Sequence, residues 1–311
     1  MPDLLVAGAI HPVNPGTNLL DALLNAGIAV PYSCRAGSCH ACMVRCVRGE
    51  PLDGKPDALA QSQREQGWRL ACQCRVVDDL SVEVFDPQRD GRPATVSQLD
   101  WPSPHVLRLR LLPERPLRYQ AGQHILLWAG PIARPYSLAS LAGEDPWLEF
   151  HIDCARPGAF SDAARQLQVG DSLRLGELRG GALHYDLDWQ QRPLLLLGSG
   201  TGLAPLYGVL REALRQEHQG NIRLLHSAVH RSEHYLAAEL QALEVSHPQL
   251  QIQQVEAAEL PAALAELRLV SRQTLALLCG QPATVETFSR RLYLAGLPRN
   301  QLFADLFLPH A

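Results

Sequence analysis

The spacing of the cysteines constrains this chain more than any other feature of its sequence. The chain has eight cysteines in 311 residues, and six of them lie between Cys34 and Cys74. Eight cysteines in a chain of this length are too sparse for a disulfide scaffold, whereas a tight group of thiols is typical of a metal site. The sequence therefore predicts a metal centre near its amino terminus.

Four of these cysteines follow the spacing of one class of iron–sulfur site. Cys34, Cys39, Cys42 and Cys72 form the pattern Cys-x4-Cys-x2-Cys-x29-Cys, which is the arrangement that holds a plant-type 2Fe-2S cluster. Gly37 lets the backbone fold around such a cluster and turn amide hydrogens toward sulfur. The pattern predicts these four cysteines as the metal ligands.

A zinc site is the alternative for the same region. Its four thiolates would come from two close pairs, Cys39 with Cys42 and Cys72 with Cys74. Zinc knuckles do not need the Cys-x4-Cys arm, so the complete pattern favours the cluster. His40, Cys46 and Cys74 are then interpreted as bystanders, and no role is predicted for Cys154.

Charge and hydropathy exclude two classes of partner. The net charge is −4 and the 28 basic residues are dispersed, so nothing indicates a surface that follows a nucleic-acid backbone. No uncharged apolar run reaches the roughly 18 residues that a membrane span needs, and no signal peptide opens the chain. We expect a soluble cytoplasmic protein, and we expect it to be a monomer.

The first 88 residues have the patterns of a small mixed sheet with one helix. Thr17 or Asn18 can cap a helical stretch over residues 18–26, and Gly27 suits its left-handed end. Residues 86–93 are polar and rich in turn formers, so they are interpreted as a linker. Apolar and alternating segments predict strands over residues 4–6, 43–47, 68–77 and 80–84.

Two further domains are predicted from changes in the hydrophobic period. Between residues 94 and 188, apolar and polar residues alternate in several strands, which predicts a closed antiparallel barrel. From residue 189 to residue 311, unbroken apolar runs alternate with helical stretches, which predicts a parallel sheet covered on both faces. The apolar runs are 194–197, 222–225 and 275–278, and the helical stretches are 203–216, 233–243 and 285–295. The fold class expected is multidomain α+β and α/β.

Two segments of the predicted barrel have the residue types of a flavin site. Arg134-Pro135-Tyr136-Ser137 resembles the flavin signature of the ferredoxin reductase family. The resemblance implies that Arg134 pairs with a phosphate, Tyr136 stacks on the isoalloxazine and Ser137 hydrogen-bonds its reactive nitrogen, with Pro135 between them. Gly158 and Ser161 precede a helical stretch over residues 162–167 and resemble the family's second phosphate motif, which favours FAD over FMN. The alternative is that Ser161 simply caps that helix.

One departure from the family pattern lies in the same domain. The family often has a Gly-Pro-x-Gly turn after the next strand, whereas this chain has Gly176-Glu177-Leu178-Arg179-Gly180-Gly181. The local contacts of this segment therefore cannot be carried over from the family.

A glycine-rich loop opens the third domain. The loop follows an apolar run and precedes a helix, and its sequence is Gly198-Ser199-Gly200-Thr201-Gly202-Leu203-Ala204-Pro205. Its unsubstituted backbone amides and the positive end of the helix dipole are therefore suited to bind a pyrophosphate. The string is similar to the nucleotide loop of ferredoxin reductases, and it makes Gly198, Gly200, Thr201 and Gly202 cofactor-binding candidates. Ser227 and Arg231 follow the next apolar run and are candidates for a 2′-phosphate of NADPH or for solvated loop residues. NADH is slightly favoured by the resemblance.

Two positions are candidates for catalysis beside the nicotinamide, together with Tyr136 and Ser137. Cys279-Gly280-Gln281-Pro282 resembles the family's Cys-Gly-x-Pro turn, so Cys279 and Gly280 are binding candidates as well. The alternative is a buried thiol before a proline that starts a helix. Asp305 lies in Phe303-Ala304-Asp305-Leu306-Phe307, which resembles the terminal segment that the family places over the flavin.

The resemblance spans essentially the whole chain. Pro31-Tyr32-Ser33-Cys34-Arg35-Ala36-Gly37-Ser38-Cys39 and Leu70-Ala71-Cys72-Gln73-Cys74-Arg75 resemble the ferredoxin domain of bacterial oxygenase reductases. The resemblance implies a β-grasp 2Fe-2S domain over residues 1–88, a six-stranded FAD barrel over 94–188 and an NAD(P) domain over 189–311. It implies electron transfer from NADH or NADPH through FAD and the cluster to a terminal oxygenase or another electron-accepting protein. A self-sufficient reductase of a small molecule, such as a deoxysugar nucleotide, and a cluster-based redox sensor are the alternatives.

Overall fold

Separate sheets follow one another along the chain in the computed structural model, which describes residues 1–32, 34–267, 269 and 271–307. The amino-terminal region contains a five-stranded mixed sheet of order β2-β1-β8-β4-β6 and a small sheet of order β3-β7-β5. Its elements are β1 (Asp3–Val6), β2 (Ala9–Pro12), β3 (Thr17–Asn18), α1 (Leu19–Asn25), β4 (Met43–Arg48), β5 (Leu52–Asp53), α2 (Gln61–Glu65), β6 (Trp68–Leu70), β7 (Cys74–Val76) and β8 (Leu80–Val84). The predicted mixed sheet with one main helix is confirmed.

The ends of α1 form as the sequence predicts. The Asn18 side chain accepts hydrogen bonds from the backbone N–H groups of Leu20 at 3.1 Å and Asp21 at 3.4 Å, which satisfies two of the free amides at the helix start. Gly27 follows the helix with a φ of 76°, a value that glycine adopts at little cost. Asn18, rather than Thr17, is the cap.

The predicted strand over residues 68–77 is wrong in its middle. A 3-10 turn over Ala71–Gln73 separates β6 from β7. The turn is held by the Asn18 side chain, whose Nδ2 donates to the Cys72 carbonyl oxygen at 2.9 Å. It takes Cys72 out of the sheet, so this residue can reach the other cysteines.

The second region is a six-stranded antiparallel sheet of order β12-β11-β14-β9-β10-β13. A short helix, α3 (Pro87–Asp90), occupies part of the predicted linker, and the first strand begins at Arg92 instead of after residue 93. The end strands of the sheet share no ladder in the described part of the chain. The elements are β9 (Arg92–Ser103), β10 (Val106–Pro113), β11 (His124–Ala129), β12 (Ile132–Ser137), β13 (Leu148–Asp153), α4 (Ala159–Ala164) and β14 (Ser172–Arg179).

The third region is a parallel sheet of order β17-β16-β15-β18-β19, as the apolar runs predict. The helix predicted from residue 233 begins four residues later, because a 3-10 turn and a left-handed Leu236 precede it. The elements are β15 (Leu194–Ser199), α5 (Leu203–Arg215), β16 (Ile222–Ala228), α6 (Ala237–Ser246), β17 (Leu250–Glu256), α7 (Leu260–Glu266), β18 (Leu275–Gly280), α8 (Pro282–Leu294) and β19 (Leu302–Leu306).

The hydrophobic cores are shared unequally among the three regions. The first region has a core of its own, which includes Leu19, Leu23 and Val44. The second region also has its own core, which includes Leu109, Leu127 and Phe150. A few of its residues, such as Val106 and Leu141, belong to a buried cluster with the sheet and helices of the third region. Among the described residues, no helix combines the length and the apolar character that a bilayer span requires.

Candidate functional site

The four predicted metal ligands form two hydrogen-bonded pairs, Cys34 with Cys39 and Cys42 with Cys72. Sγ of Cys34 accepts hydrogen bonds from the backbone N–H groups of Ala36, Ser38 and Cys39, each at 3.3 Å. A hydrogen bond between the Cys34 and Cys39 side chains lowers the pKa of Cys34 to about 3. Similarly, a hydrogen bond from the Cys42 side chain lowers the pKa of Cys72 to about 7. The same hydrogen bonds raise the pKa of the partner thiols, Cys39 and Cys42. Each pair therefore favours one thiolate, at Cys34 and at Cys72, with the second thiol as its hydrogen-bond donor.

The backbone of this loop is shaped around the sulfur atoms. Arg35, Gly37 and His40 all have positive φ values, of 49°, 76° and 57°. Two of these residues are not glycine, and such strain is concentrated where a structure clamps a ligand. The Gln73 side chain ties the turn of Cys72 to the loop, because its Nε2 donates to the Arg35 carbonyl oxygen at 2.9 Å.

This donor set fits a 2Fe-2S cluster. Backbone amides aimed at thiolate sulfur are the contacts that stabilise and tune such clusters. Cys74, which the zinc alternative requires, is fully buried on β7 in the hydrophobic core of the first region. Burial raises the pKa of the Cys74 thiol, which makes it an inert core residue.

The flavin signature lies on β12, next to the first region. Tyr136 is largely buried, and its ring centroid is 4.9 Å from that of Phe160 on α4. Ser137 is buried and lies opposite His124 of β11, and Pro135 lies opposite Leu126. Nη1 of Arg134 donates to the Ala133 carbonyl oxygen at 2.7 Å. An arginine, an aromatic ring and a hydroxyl thus occur along one strand, and these groups fit a flavin nucleotide.

The second phosphate motif differs in detail from its prediction. The helix α4 begins at Ala159, so Gly158 is its N-cap and Ser161 lies inside the first turn. The simple cap by Ser161 is therefore wrong. Its hydroxyl donates to backbone carbonyl oxygens, with Gly158 O at 3.1 Å and Arg156 O at 3.2 Å. The backbone N–H of Gly158 donates to Oδ2 of Asp162 at 3.2 Å.

The nucleotide loop lies between β15 and α5, at the carboxyl edge of the parallel sheet. Gly200 has a φ of 54° with open space where a side chain would begin. A Cβ on Gly202 would collide with the Cys279 carbonyl oxygen, and one on Gly280 would collide with the Ser199 hydroxyl. This hydroxyl is buried and has no hydrogen-bond partner among the described residues. The bare backbone from Gly198 through Thr201 to Gly202 fits a pyrophosphate.

Cys279 and Asp305 are brought together by the last two strands. They are directly paired in the parallel ladder of β18 and β19. Cys279 is fully buried, and burial raises the pKa of Asp305 to about 6. A Cβ on Gly181, after the last barrel strand, would lie 4.0 Å from Oδ2 of Asp305. The carboxyl group therefore faces the junction of the second and third regions.

The two candidates for a 2′-phosphate have different surroundings. Ser227 is buried near the end of β16. The Arg231 guanidinium is exposed and pairs with two carboxylates, with Nη2 at 3.2 Å from Glu259 Oε1 and Nε at 3.7 Å from Glu256 Oε1. The charge of this arginine is thus already compensated by Glu256 and Glu259, which the motifs did not single out.

A buried polar network behind the nucleotide loop is a further feature that the motifs miss. His226 Nε2 lies 2.9 Å from the Gly200 carbonyl oxygen. Burial lowers the pKa of His226 to about 3, so the ring is neutral and donates from Nε2. Its Nδ1 lies 3.4 Å from His234 Nδ1. The spacing of these histidines suggested no metal site, and the structure shows that they support the loop instead.

The network continues into the second region. The Tyr235 hydroxyl lies 3.2 Å from His151 Nδ1, and His151 Nε2 lies 3.0 Å from Glu149 Oε1. Burial opposes ionisation of Glu149, but hydrogen bonds from His151 and Arg110 lower its pKa to about 2. No sequence motif marks these residues. An unusual polar side chain in a buried strand, as at His151 and Glu149, is the one signal that could have found them.

The region of the cysteine loop contacts the second region through a separate set of residues. His40, which the sequence treats as a bystander, is buried, and its Nδ1 lies 3.4 Å from Glu177 Oε2. Phe85, at the end of the first region, stacks on Trp128 of β11 with ring centroids 5.3 Å apart. The departure from the family pattern at Gly176 and Glu177 was the sequence signal for this contact.

Comparisons with known proteins agree with these features. Residues 7–77 match the 2Fe-2S iron-sulfur cluster binding domain, and residues 196–290 match the oxidoreductase NAD-binding domain. The chain is similar to the ferredoxin–NAD(P)+ reductase component of the naphthalene 1,2-dioxygenase system of Pseudomonas putida. It is 31% identical over 320 residues, which cover 96% of this chain and 96% of that protein.

Two more similarities extend this result. Reductase component 1 of the terephthalate 1,2-dioxygenase of a Comamonas species is 32% identical over 247 residues, covering 76% of this chain and 73% of the relative. Among solved structures, the cytochrome P450 reductase GcoB of Amycolatopsis superimposes with a TM-score of 0.68 and 26% identity, covering 100% of both chains.

Proposed function

Because the chain belongs to the family of ferredoxin–NAD(P)+ reductase components of oxygenase systems, we propose that it delivers electrons to a separate terminal oxygenase or a similar redox protein. The chain is an NAD(P)H-dependent oxidoreductase with FAD and a 2Fe-2S cluster, and electrons pass from NAD(P)H through FAD to the cluster. FAD supplies the conversion of a two-electron hydride into single electrons.

The observation that carries the proposal is the thiolate set of Cys34, Cys39, Cys42 and Cys72. Cys34, Cys39 and Cys42 lie on one loop whose amides point at Cys34 Sγ, and the Cys42 side chain is hydrogen-bonded to Cys72 from the turn after β6. This loop is partly exposed, with Arg35 and Ala36 open to solvent. An exposed cluster edge suits outer-sphere transfer to a docked protein.

The domain limits of the proposal are 1–88 for the ferredoxin domain, 94–188 for the FAD domain and 189–311 for the NAD(P) domain. Residues 308–311 lie outside the described residues. The separate core of the first region supports the first limit, and β9 extends the second domain back to Arg92. A β-grasp topology and closure of the six strands into a barrel around the flavin edge belong to the same proposal.

Each site residue has a proposed role. Arg134, Gly158 and Ser161 hold the FAD phosphates, while Tyr136, with Pro135 before it, packs on the flavin ring and Ser137 hydrogen-bonds it. The pyrophosphate of the nicotinamide coenzyme is held by Gly198, Gly200, Thr201 and Gly202. Gly280 has no side chain and so leaves space beside this loop. Cys279 and Asp305 line the nicotinamide position, which is supported by their pairing beside the nucleotide loop.

We further propose that the coenzyme is NADH. In open α/β sheets the adenosine ribose lies at the carboxyl end of the neighbouring strand, where a carboxylate favours a 2′-hydroxyl and an arginine favours a 2′-phosphate. Here Glu256 ends β17 opposite Ala228, and Glu256 and Glu259 together outweigh the charge of Arg231. A phosphate dianion at this edge would meet net negative charge.

Binding of two adenosine nucleotides tests this coenzyme preference. We expect 5′-AMP to bind the protein more tightly than 2′,5′-ADP in calorimetry. The double change Glu256→Gln with Glu259→Gln should raise the affinity for 2′,5′-ADP by about fivefold, because exposed ion pairs contribute up to about 1 kcal/mol. Glu266→Gln, at the exposed end of α7, is the matched control. Tighter binding of 2′,5′-ADP by the unmodified protein would contradict the preference.

Electron delivery to a protein acceptor tests the main proposal. NADH should reduce both ferricyanide, which takes electrons from the flavin, and cytochrome c, which stands in for the protein partner. Cys42→Ser should abolish cytochrome c reduction and keep ferricyanide reduction, whereas the control Cys46→Ser should keep both. Cytochrome c reduction that survives Cys42→Ser would contradict an exit through the cluster.

A further inference from the structure

The cysteine loop rests on the outer face of the flavin-signature strand pair. We call the buried residues Ala41, Leu126, Trp128 and Ala133, together with the partly buried Cys39 and Phe85, the loop–barrel patch. Cross-strand partners share one face of a sheet, and the pairs Leu126 with Pro135 and Trp128 with Ala133 therefore place this patch behind the strand that carries Tyr136 and Ser137.

A β-bulge beside the patch aims one carboxylate at the cysteine loop. In the pairing of β11 with β14, Ile125 lies opposite Leu178 and Leu127 opposite Leu175, so Gly176 and Glu177 share the single partner Leu126. Such a bulge bends the strand and re-aims a side chain. A Cβ on Gly176 would lie 3.1 Å from both Leu126 Cβ and Trp128 Nε1, so glycine is what lets the patch close over the bulge.

Glu177 joins two elements of the ferredoxin domain to the barrel. Its carboxylate lies 3.4 Å from His40 Nδ1 of the cysteine loop and accepts a hydrogen bond from Nε2 of Gln63 on α2. Nη2 of Arg179, on the same strand, donates to Oε2, the oxygen that lies near His40, whereas Gln63 binds Oε1. The group is mostly buried, with a side chain that is 21% exposed. A carboxylate in such a place is costly unless it is paired and hydrogen-bonded, so its partners are held firmly.

We propose that Glu177 is a positioning residue that fixes the cysteine loop against the flavin strands and thereby sets the rate at which the cluster is reduced. The proposal rests on the proposed function, because it concerns the transfer from flavin to cluster. The patch supplies contact area without direction. The bulge carboxylate accepts a hydrogen bond from Gln63 of α2 and lies at ion-pair distance from His40, between Cys39 and Cys42.

Rapid mixing with NADH separates the two steps that the proposal distinguishes. In Glu177→Ala, flavin bleaching and the KM for NADH should stay within twofold of the unmodified protein. Bleaching of the cluster should be slower by roughly tenfold or more, because a misplacement of about 1 Å can cost a factor of that size or greater. Glu177→Gln keeps hydrogen-bonding capacity toward Gln63 and should restore most of the rate. Glu114→Ala, an exposed glutamate of the same region, is the control.

A second variant keeps the test valid if Glu177→Ala folds poorly. Gln63→Ala removes the α2 contact from the ferredoxin side without touching the barrel, and it should also slow cluster bleaching. The double variant should bleach its cluster only slightly more slowly than Glu177→Ala alone, because both changes remove the same interaction.

Hydrogen exchange of the oxidised protein without NADH supplies a readout that does not depend on turnover. Backbone amides of residues 34–42 and 61–66 should exchange faster in Glu177→Ala than in Glu114→Ala, while those of β15 and α5 should be unchanged. Equal exchange together with unchanged cluster bleaching would overturn the role of Glu177. If NADH fails to reduce the cluster in the unmodified protein, the proposed function itself fails, and the role of Glu177 falls with it.

Discussion

The flavin region touches its two neighbours through contacts of opposite construction. Toward the nucleotide domain, where electrons enter, the contact is a shared hydrophobic core reinforced by buried polar groups such as His151 and Tyr235. Toward the ferredoxin domain, where electrons leave, the contact is a patch of four buried residues and the carboxylate of Glu177. Domains joined through large apolar interfaces move as one, whereas small contacts permit relative motion.

Ion pairs follow the same division. Two ion pairs connect the flavin and nucleotide regions. Arg211 lies 2.7 Å from Asp145, and Arg108 lies 2.9 Å from Glu239. Hydride transfer needs atoms held in one geometry, which a shared core provides. Transfer of single electrons to a partner requires an exposed cluster, which a domain with its own core can present. The nucleotide side is therefore held by a shared buried cluster and ion pairs, whereas the ferredoxin side is held by a smaller apolar patch and the hydrogen-bonded carboxylate of Glu177.

The largest expected effect comes from a substitution that disturbs only the nucleotide domain, where electrons enter. Gly202→Ala places a methyl group against the Cys279 carbonyl oxygen, so the nucleotide loop must shift. We expect kcat/KM for NADH to fall by roughly a hundredfold, since small displacements at a reacting centre cost about that much.

Chemical reduction by dithionite provides the control for Gly202→Ala. Dithionite should still reduce both flavin and cluster in this variant, because the exit side is untouched. Equal NADH kinetics in the variant and the unmodified protein would contradict the role of the loop.

A smaller effect concerns the buried carboxyl group at the junction. Burial raises the pKa of Asp305 from an ordinary value of 3.8 to about 6. The folded state then holds the proton that the unfolded state has released, so stability falls as pH rises between these values and the loss is complete above about pH 6. Asp305→Asn should raise the free energy of unfolding by about 2–3 kcal/mol at pH 8, since each pKa unit corresponds to about 1.4 kcal/mol.

Thermal unfolding at two pH values checks the prediction for Asp305. The gain in melting temperature of Asp305→Asn over the unmodified protein should be roughly twice as large at about pH 8 as at about pH 5, because pH 5 lies midway between the unfolded and folded pKa values. A gain that is the same at both pH values would show that the carboxyl group does not titrate in this range.

The smallest expected effect comes from removing one hydrogen bond of the buried polar network between the flavin and nucleotide regions. Tyr235→Phe removes the hydroxyl beside His151 Nδ1 and leaves a buried nitrogen unpaired, which should cost about 1–2 kcal/mol of stability. Tyr293→Phe on exposed α8 is the matched control, with an expected change within about 0.5 kcal/mol. In denaturant unfolding followed by separate probes in the flavin and nucleotide regions, the transition midpoint should shift by the same amount for both probes. A shift of the nucleotide region alone would contradict the shared core.

The sequence predicted those parts of the molecule that depend on local spacing. The ligand pattern from Cys34 to Cys72, the cap at Asn18 and the parallel sheet after residue 189 each rest on neighbours in sequence or on a clear hydrophobic period. The cap at Asn18 and the parallel sheet are confirmed, and the ligand set stays a prediction that the two hydrogen-bonded cysteine pairs support. The helix α4 was placed three residues late, because the carboxylate of Asp162 binds the Gly158 amide and lets the helix start earlier.

The interdomain contacts could not be predicted in the same way. The bulge that aims Glu177 exists only in the register between β11 and β14, and that register is set by both strands together. Likewise, the role of His226 depends on the Gly200 carbonyl oxygen, which lies 26 residues away in sequence. Single residues of these types carry no pattern, so their partners become visible only in three dimensions.

An anaerobic titration with NADH, followed by absorbance and electron paramagnetic resonance, tests the central claim most directly. The account predicts about two irons and two labile sulfides per chain, flavin that bleaches first, and a cluster that then gains an electron and a paramagnetic signal. Flavin that bleaches while the cluster stays oxidised and silent would contradict the claim that electrons leave this protein through the four cysteines.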